Sequence, residues 1–114
     1  MKRVNEKDWK LFRNRVPDWQ EAYMGKLVEE YKALLNGNEQ SSDKFWALWN
    51  RLKQDKHSPG VMLGDMSRSN MRMNLLLLLR HGIITIQNLD GFSEELREEL
   101  SYMVESWTWE QNED

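Results

Sequence analysis

The chain has 114 residues, which suits one domain and is long enough for one modest hydrophobic core. Hydrophobic residues make up 39% and charged residues 31%, a balance typical of packed amphipathic helices and too apolar for a disordered tail. There is no cysteine, which excludes disulfides, thiolate metal sites and a cysteine nucleophile. We predict one domain over residues 1–114.

The location of the protein is predicted from the same composition. The basic N-terminus is not followed by an apolar stretch of the kind that a secretory signal needs. The longest apolar run, Leu75–Leu79, is far shorter than the roughly 20 residues of a membrane span. Together with the absence of cysteine, this favours a cytoplasmic protein without membrane contact.

Charge is unevenly distributed along the chain. The net charge is -3, but residues 1–89 carry 15 basic and 10 acidic side chains, whereas residues 90–114 carry Arg97 against nine carboxylates. The C-terminal segment is either the solvated face of a last helix or an acidic surface for a basic partner, including partial mimicry of a nucleic acid.

The first two predicted helices meet at a proline. Asn5 is a plausible N-cap before Glu6 and Asp8, and the apolar residues Trp9, Phe12 and Val16 follow at helical spacing. We predict that Pro17 ends this helix and begins the next, since proline suits the first turn. The buried stripe of the second helix comprises Trp19, Tyr23, Leu27, Tyr31, Leu34 and Leu35. Asn36-Gly37-Asn38 ends it.

Two further helices are predicted in the middle of the chain. The third begins at Ser41 or Ser42 and stops at Ser58-Pro59-Gly60, and residues 61–65 connect it to the next. Its predicted buried stripe is Phe45, Leu48, Trp49 and Leu52, with Trp46 beside it. The fourth begins at Ser67 or Ser69, runs to about His81 and stops at Gly82. Because Leu75–Leu79 is apolar nearly all round, this should be the central helix.

The rest of the chain predicts a turn and a last helix. Residues 83–86 are β-prone but have no partner strand, so we expect a buried turn, with Thr85 capping a single helical turn through Leu89. Ser93 caps the last helix, and Leu96 and Leu100 lie on its apolar side. The acidic C-terminus should fray from about residue 108.

The predicted fold is therefore all-α, a single-domain bundle of about five helices around a central apolar helix. We expect Trp9, Trp19, Trp49, Leu96 and Leu100 to contribute to one core.

Several segments resemble one protein family. They are Asp8-Trp9-Lys10-Leu11-Phe12, Pro17-Asp18-Trp19-Gln20, Asp43-Lys44-Phe45-Trp46-Ala47-Leu48, Ser58-Pro59-Gly60-Val61 and Met66-Ser67-Arg68-Ser69-Asn70-Met71. In these the chain is similar to a family of short uncharacterised Firmicutes proteins, some labelled "multidrug transporter". The resemblance covers most of the chain and implies a bacterial cytoplasmic setting. The label does not suit this sequence, which lacks long apolar segments. No catalytic residue is implied.

The segment Ser67–Arg72 is the first candidate binding site. Ser69 and Asn70 stand at a predicted helix start with free N–H groups, and Arg68 and Arg72 are four residues apart, so together they could bind an anion. The structural alternative is that the polar residues cap the helix and the arginines pair with the protein's own acids.

Two tryptophans are candidate interface anchors. Trp46 and Trp109 are the hardest to bury on the predicted stripes, and aromatic residues often anchor protein interfaces. His57 and His81 fall near helix ends, where a positive charge is favourable without any ligand. No metal, nucleotide or catalytic motif is present, so we expect no cofactor, no metal site and no enzymatic activity.

Three functions are compatible with these features. The leading one is a small non-enzymatic protein-interaction module. A mobile-element or phage-type inhibitor of a host nucleic-acid enzyme would suit the small size and acidic end. A DNA- or RNA-binding regulator would use the basic N-terminal helix or the arginines, although net acidity opposes it. The partner, the pathway and the oligomeric state are left open.

Overall fold

The described part of the chain folds into four α-helices. The computed structural model describes residues 4–112, with side chains through residue 107. The helices are α1 (Glu6–Leu35), α2 (Ser41–Asp55), α3 (Met71–Arg80) and α4 (Glu94–Asn112). Single 3₁₀ turns at Arg68–Asn70 and Ile86–Leu89 precede α3 and α4, and residues 4–112 contain no strand. The all-α prediction is confirmed, but four helices replace the predicted five.

The difference in number arises at Pro17, which lies inside α1. A proline in a helix interior removes one backbone hydrogen bond and typically costs about 3 kcal/mol. The apolar positions before and after it nevertheless stay in phase, since Val16, Trp19 and Tyr23 continue the 3–4 residue spacing of Trp9 and Phe12. Burial along one continuous stripe therefore outweighs the local penalty, and the predicted break does not occur.

The core forms between the first part of α1, α3 and α4. Trp9, Phe12 and Val16 from α1 join α3, the Ile86–Leu89 turn and α4 residues Leu96 and Leu100. Three leucines of α3 are buried, namely Leu75, Leu76 and Leu78, whereas Leu77 and Leu79 are half-buried. α3 thus supplies buried residues to the core, and the predicted core positions of Trp9, Leu96 and Leu100 are confirmed. Trp19 is half-buried and packs against the core.

Trp49 is the error in the predicted core. Its side chain is 51% exposed, and Phe45 and Leu52, predicted on the same buried stripe, are also exposed. Leu35, predicted on the buried stripe of the preceding helix, is exposed as well. The physical reason is that the contacts of α2 are chiefly with α1, and its other apolar side is left exposed in the described part of the chain.

The ends of the helices mostly follow the predicted local chemistry. Asn5 Oδ1 accepts hydrogen bonds from the N–H groups of Lys7 (2.8 Å) and Asp8 (3.2 Å), so it caps α1. At the end of α3, Gly82 has a φ of +73°, a conformation that favours glycine. The N–H of Gly82 bonds to Leu79 and that of Ile83 to Leu78, which closes the helix.

Asp8 links the starts of two helices. Its buried carboxylate accepts hydrogen bonds from the Ser93 N–H (2.7 Å) and the Ser93 hydroxyl (2.6 Å). The Ser93 hydroxyl oxygen in turn accepts from the Leu96 N–H at 3.3 Å, so the predicted cap of α4 is confirmed. A carboxylate at this place also suits the positive end of the α4 dipole.

The connector after α2 packs tightly against the rest of the chain. Gln20 donates to the Pro59 carbonyl at 3.1 Å. Gly60 is buried, and a Cβ added there would lie 2.6 Å from Ile83 Cγ1. Farther along, the buried Asn74 amide donates to the Asp65 carbonyl at 2.9 Å, which fixes the end of this connector to α3.

The molecule is elongated because α1 extends beyond the core. Its principal extents are 54 × 37 × 23 Å and its radius of gyration is 17.1 Å, against about 13 Å for a compact domain of this length. The described helices include none that is long and apolar enough to cross a membrane.

Candidate protein-interaction surface

The second half of α1 and α2 form an antiparallel hairpin. Tyr31 donates its hydroxyl hydrogen to Asp55 at 2.6 Å, and the Arg51 guanidinium bonds to Glu30 at 2.7 Å and to Asp55 at 3.4 Å. The Arg51 guanidinium also stacks over the Tyr31 ring at 5.5 Å. These contacts join the two helices, and Leu27 of α1 is buried. Burial, and then the hydrogen bond to Asp55, raises the pKa of Tyr31 to about 12.

Four large apolar side chains of α2 are exposed. Phe45 is 62% exposed, Trp46 59%, Trp49 51% and Leu52 44%. The Phe45 and Trp46 rings contact edge to face, with centroids 5.0 Å apart. Covering this exposed aromatic side of α2 would be favourable, since fully burying such a side chain stabilises a structure by about 1.5–3 kcal/mol.

Two exposed aliphatic side chains of α1 extend the same surface. The ion pair between Arg51 and Glu30 marks one flank of the hairpin. Val28 and Leu35 on α1 are rotated by more than a quarter turn from Glu30, because successive helical residues differ by about 100°. By the same spacing, Phe45, Trp49 and Leu52 are rotated from Arg51 by about 100–160°, and in an antiparallel pair both rotations lead to the opposite flank. Trp46 borders these residues on the outer side of α2. We call this surface the hairpin face: Val28, Leu35, Phe45, Trp46, Trp49 and Leu52.

The hairpin face lies on an electrically neutral part of the chain. Residues 21–56 contain six Lys or Arg and six Asp or Glu side chains. One pair of opposite charges, Lys32 and Glu29, is joined at 3.2 Å on the exposed side of α1. A strongly charged partner therefore gains no net electrostatic attraction here.

The residues of the Ser67–Arg72 segment lie close together, but its two arginines form ion pairs with acidic side chains of the same chain. Arg68 forms two hydrogen bonds to Glu6, at 2.9 and 3.3 Å, and its guanidinium lies 5.4 Å from the Trp9 ring centroid. Arg72 bonds to Glu99 at 3.0 Å. Both arginines thus take the internal pairing that was the structural alternative to an anion site.

The polar residues of this segment bind the preceding loop rather than the start of α3. The Ser69 hydroxyl is 3.1 Å from that of Ser67, and the Asn70 amide donates to the Asp65 carbonyl at 3.0 Å. Neither Ser67 nor Asn70 forms a side-chain cap at the helical turn that it precedes. The predicted capping is therefore wrong, because the loop carbonyl and hydroxyls take these hydrogen bonds instead.

The acidic last helix borders a groove of about 810 Å³. Its carboxylates include Asp90, Glu94, Glu98 and Glu105, with Arg97 as the basic group, and Tyr102 is 71% exposed at its side. The uneven charge of the sequence thus becomes an acidic surface on the side of the molecule formed by α4.

Of the two candidate anchors, Trp46 lies in the hairpin face, while the side chain of Trp109 falls outside the described residues. Fraying of the C-terminus from about residue 108 stays a prediction.

Sequence reasoning missed Trp49, Phe45 and Leu52 as surface residues. The signal was the width of the apolar arc on α2. Phe45, Trp46, Leu48, Trp49 and Leu52 span about 160° of the helix circumference, at about 100° per residue, which one neighbouring helix cannot cover.

Comparison of the chain with protein-family models, curated proteins and solved structures finds no match.

Proposed function

We propose that the protein is a small non-enzymatic protein-interaction module of the bacterial cytoplasm that binds an apolar helical surface of another chain through the hairpin face. The observation that carries the proposal is the exposure of four large apolar side chains on α2, beside a core that is complete without them. Exposed apolar patches larger than a few hundred Å² are typical of interaction sites.

The residue types support this reading. Tryptophan is enriched among the side chains that contribute most to binding, and such residues cluster at the centre of an interface. Trp46 and Trp49 are three residues apart on α2, and Phe45 and Leu52 lie one turn before and one turn after Trp49. An amphipathic helix placed along the hairpin would cover them and form a three-helix layer.

The chemistry of the face supports binding rather than catalysis. Its six side chains carry no nucleophile, no acid or base and no metal ligand. A catalytic pocket would need converging polar groups, which this surface does not supply.

The two other functions would use other surfaces. An inhibitor of a nucleic-acid enzyme would employ the acidic groove beside α4. A nucleic-acid-binding regulator would employ the basic N-terminal helix or the arginines, but Arg68 and Arg72 pair with carboxylates, and Arg15 donates to the backbone carbonyls of Asn88 and Asp90. These engaged arginines favour the interaction module over the regulator.

Photo-crosslinking in the source cell tests the proposal. The photoreactive residue p-benzoylphenylalanine replaces Trp46 in one variant and, in the matched control, Gln54, which is exposed on the side of α2 opposite Phe45 and Leu52. We expect position 46 to crosslink one protein that mass spectrometry identifies, and Trp49→Glu in the same chain to reduce the yield at least about 10-fold, as for a central interface residue. The identified protein is then purified and titrated against the wild-type chain. Equal crosslinking from positions 46 and 54 would contradict the proposal.

A further inference from the structure

We infer that the chain bound at the hairpin face is a second copy of this protein, so that two hairpins pack face to face as a four-helix bundle. This inference rests on the proposed function, because it uses the same six side chains. It adds the identity of the partner and the symmetry of the complex.

The area of the face suits a homodimer. Its side chains are between 42% and 62% exposed, and three of them are aromatic. Together they present on the order of 600–700 Å² of apolar surface. A stable interface of standard size needs about 800 Å² from each partner, part of which is a polar rim. Two copies would therefore bury nearly all of the exposed apolar surface of the hairpin and would need only a small rim in addition.

The charge of the hairpin permits self-association. A two-fold axis brings each surface against itself, so a face of one sign would repel its own copy. Residues 21–56 carry equal numbers of basic and acidic side chains, and the face itself has none. The acidic groove beside α4 lacks this property, because like charges would oppose each other there.

The distribution of bulk makes the face complementary to its own copy. The three aromatic side chains stand on α2, whereas α1 contributes only the smaller Val28 and Leu35. The aromatic side chains of α2 thus form a ridge, and Val28 and Leu35 of α1 form a lower shelf beside it. A two-fold rotation can place the α2 ridge of each protomer over the α1 shelf of its partner, which is the interlocking that packed helices require.

The shape of the protein leaves room for such a complex. The 15 residues of α2 form a helix about 22 Å long, which is enough for four turns of packing. The core around α3 and α4 includes no residue of α2. The second copy can therefore dock on the hairpin without displacing any buried side chain of the core.

Sedimentation equilibrium of the purified full chain tests the inference. Over protein concentrations from about 1 to 300 µM, we expect the mass to rise from 13.7 kDa toward twice that value. Trp49→Glu should raise the dissociation constant by about 100-fold or more, since the substitution occurs twice in a symmetric interface. Gln54→Glu adds the same charge on the side of α2 opposite Phe45 and Leu52 and should associate like the wild type.

Two results would overturn the inference. One is a wild-type chain that stays monomeric at every concentration, and the other is a dimer that forms equally well with Trp49→Glu. Acrylamide quenching of tryptophan fluorescence in the monomer then tests the proposed function. It compares the wild type with a Trp46→Phe, Trp49→Phe variant, so that the difference reports these two side chains. Strong quenching leaves the face available to another protein, whereas protection of both rings contradicts the inference and the proposed function together.

Discussion

Asp8 links the first and last helices through its carboxylate. It is only 3% exposed, yet it carries a carboxylate that accepts two short hydrogen bonds from Ser93. A charge is tolerated inside the protein when such bonds and a helix N-terminus replace its hydration. The sequence showed Asp8 only as an early acid of α1, because its partner lies 85 positions along the chain.

Replacing Asp8 with alanine should lower the free energy of unfolding by about 2–3 kcal/mol, because it removes two charge-assisted bonds and leaves the Ser93 N–H unpaired. Urea unfolding followed by circular dichroism measures this loss. Asp18→Ala, at an exposed position of the same helix, is the control and should change stability by less than about 0.5 kcal/mol. Equal losses in both variants would show that the Asp8 contact contributes nothing particular.

At the scale of elements, a small polar cluster links the two helices of the hairpin. Tyr31 donates to Asp55, and Arg51 lies between Asp55 and Glu30. These groups are partly exposed, so their ion pairs contribute modestly. The phenol differs, since its burial and its bond to a carboxylate both oppose the loss of its proton.

The hairpin should consequently lose stability in alkaline solution. The pKa of Tyr31 is raised to about 12, above the usual tyrosine value near 10. A group with a raised pKa contributes its full stability below about pH 10 and loses it as the pH rises through about 12. Urea unfolding at several pH values should show a steeper decline for the wild type than for Tyr31→Phe.

Tyr102→Phe is the matched control for this titration, because Tyr102 is exposed on α4. Its decline with pH should follow that of the wild type. If Tyr31→Phe also declined like the wild type, the hydrogen bond to Asp55 would have no part in hairpin stability.

The elements also show where sequence patterns suffice and where they do not. Local signals correctly located the caps at Asn5 and Ser93, the stop at Gly82 and the apolar α3, because each depends on neighbouring residues. The continuity of α1 through Pro17 was missed, because it depends on burial along the whole stripe. Proline was given too much weight against the unbroken spacing of apolar residues.

At the scale of the molecule, the protein separates folding from binding. The first part of α1 packs with α3 and α4 into the core, and the second part carries α2 away from it. The elongated outline follows from this division. An apolar stripe in a sequence does not reveal whether its own chain or another will cover it, so Trp49 was predicted in the core and the hairpin face was missed.

The central claim is that the hairpin face serves binding and contributes little to folding. Its most direct test is the stability of Trp49→Ser and Trp9→Ser, measured by urea unfolding at about 1 µM, where the chain should be monomeric. Trp9 is buried, so Trp9→Ser should lower the free energy of unfolding by about 3–5 kcal/mol. Trp49 is half-exposed, so Trp49→Ser should lower the free energy of unfolding by less than about 1 kcal/mol. A loss at Trp49 as large as that at Trp9 would place Trp49 in the core and contradict the account.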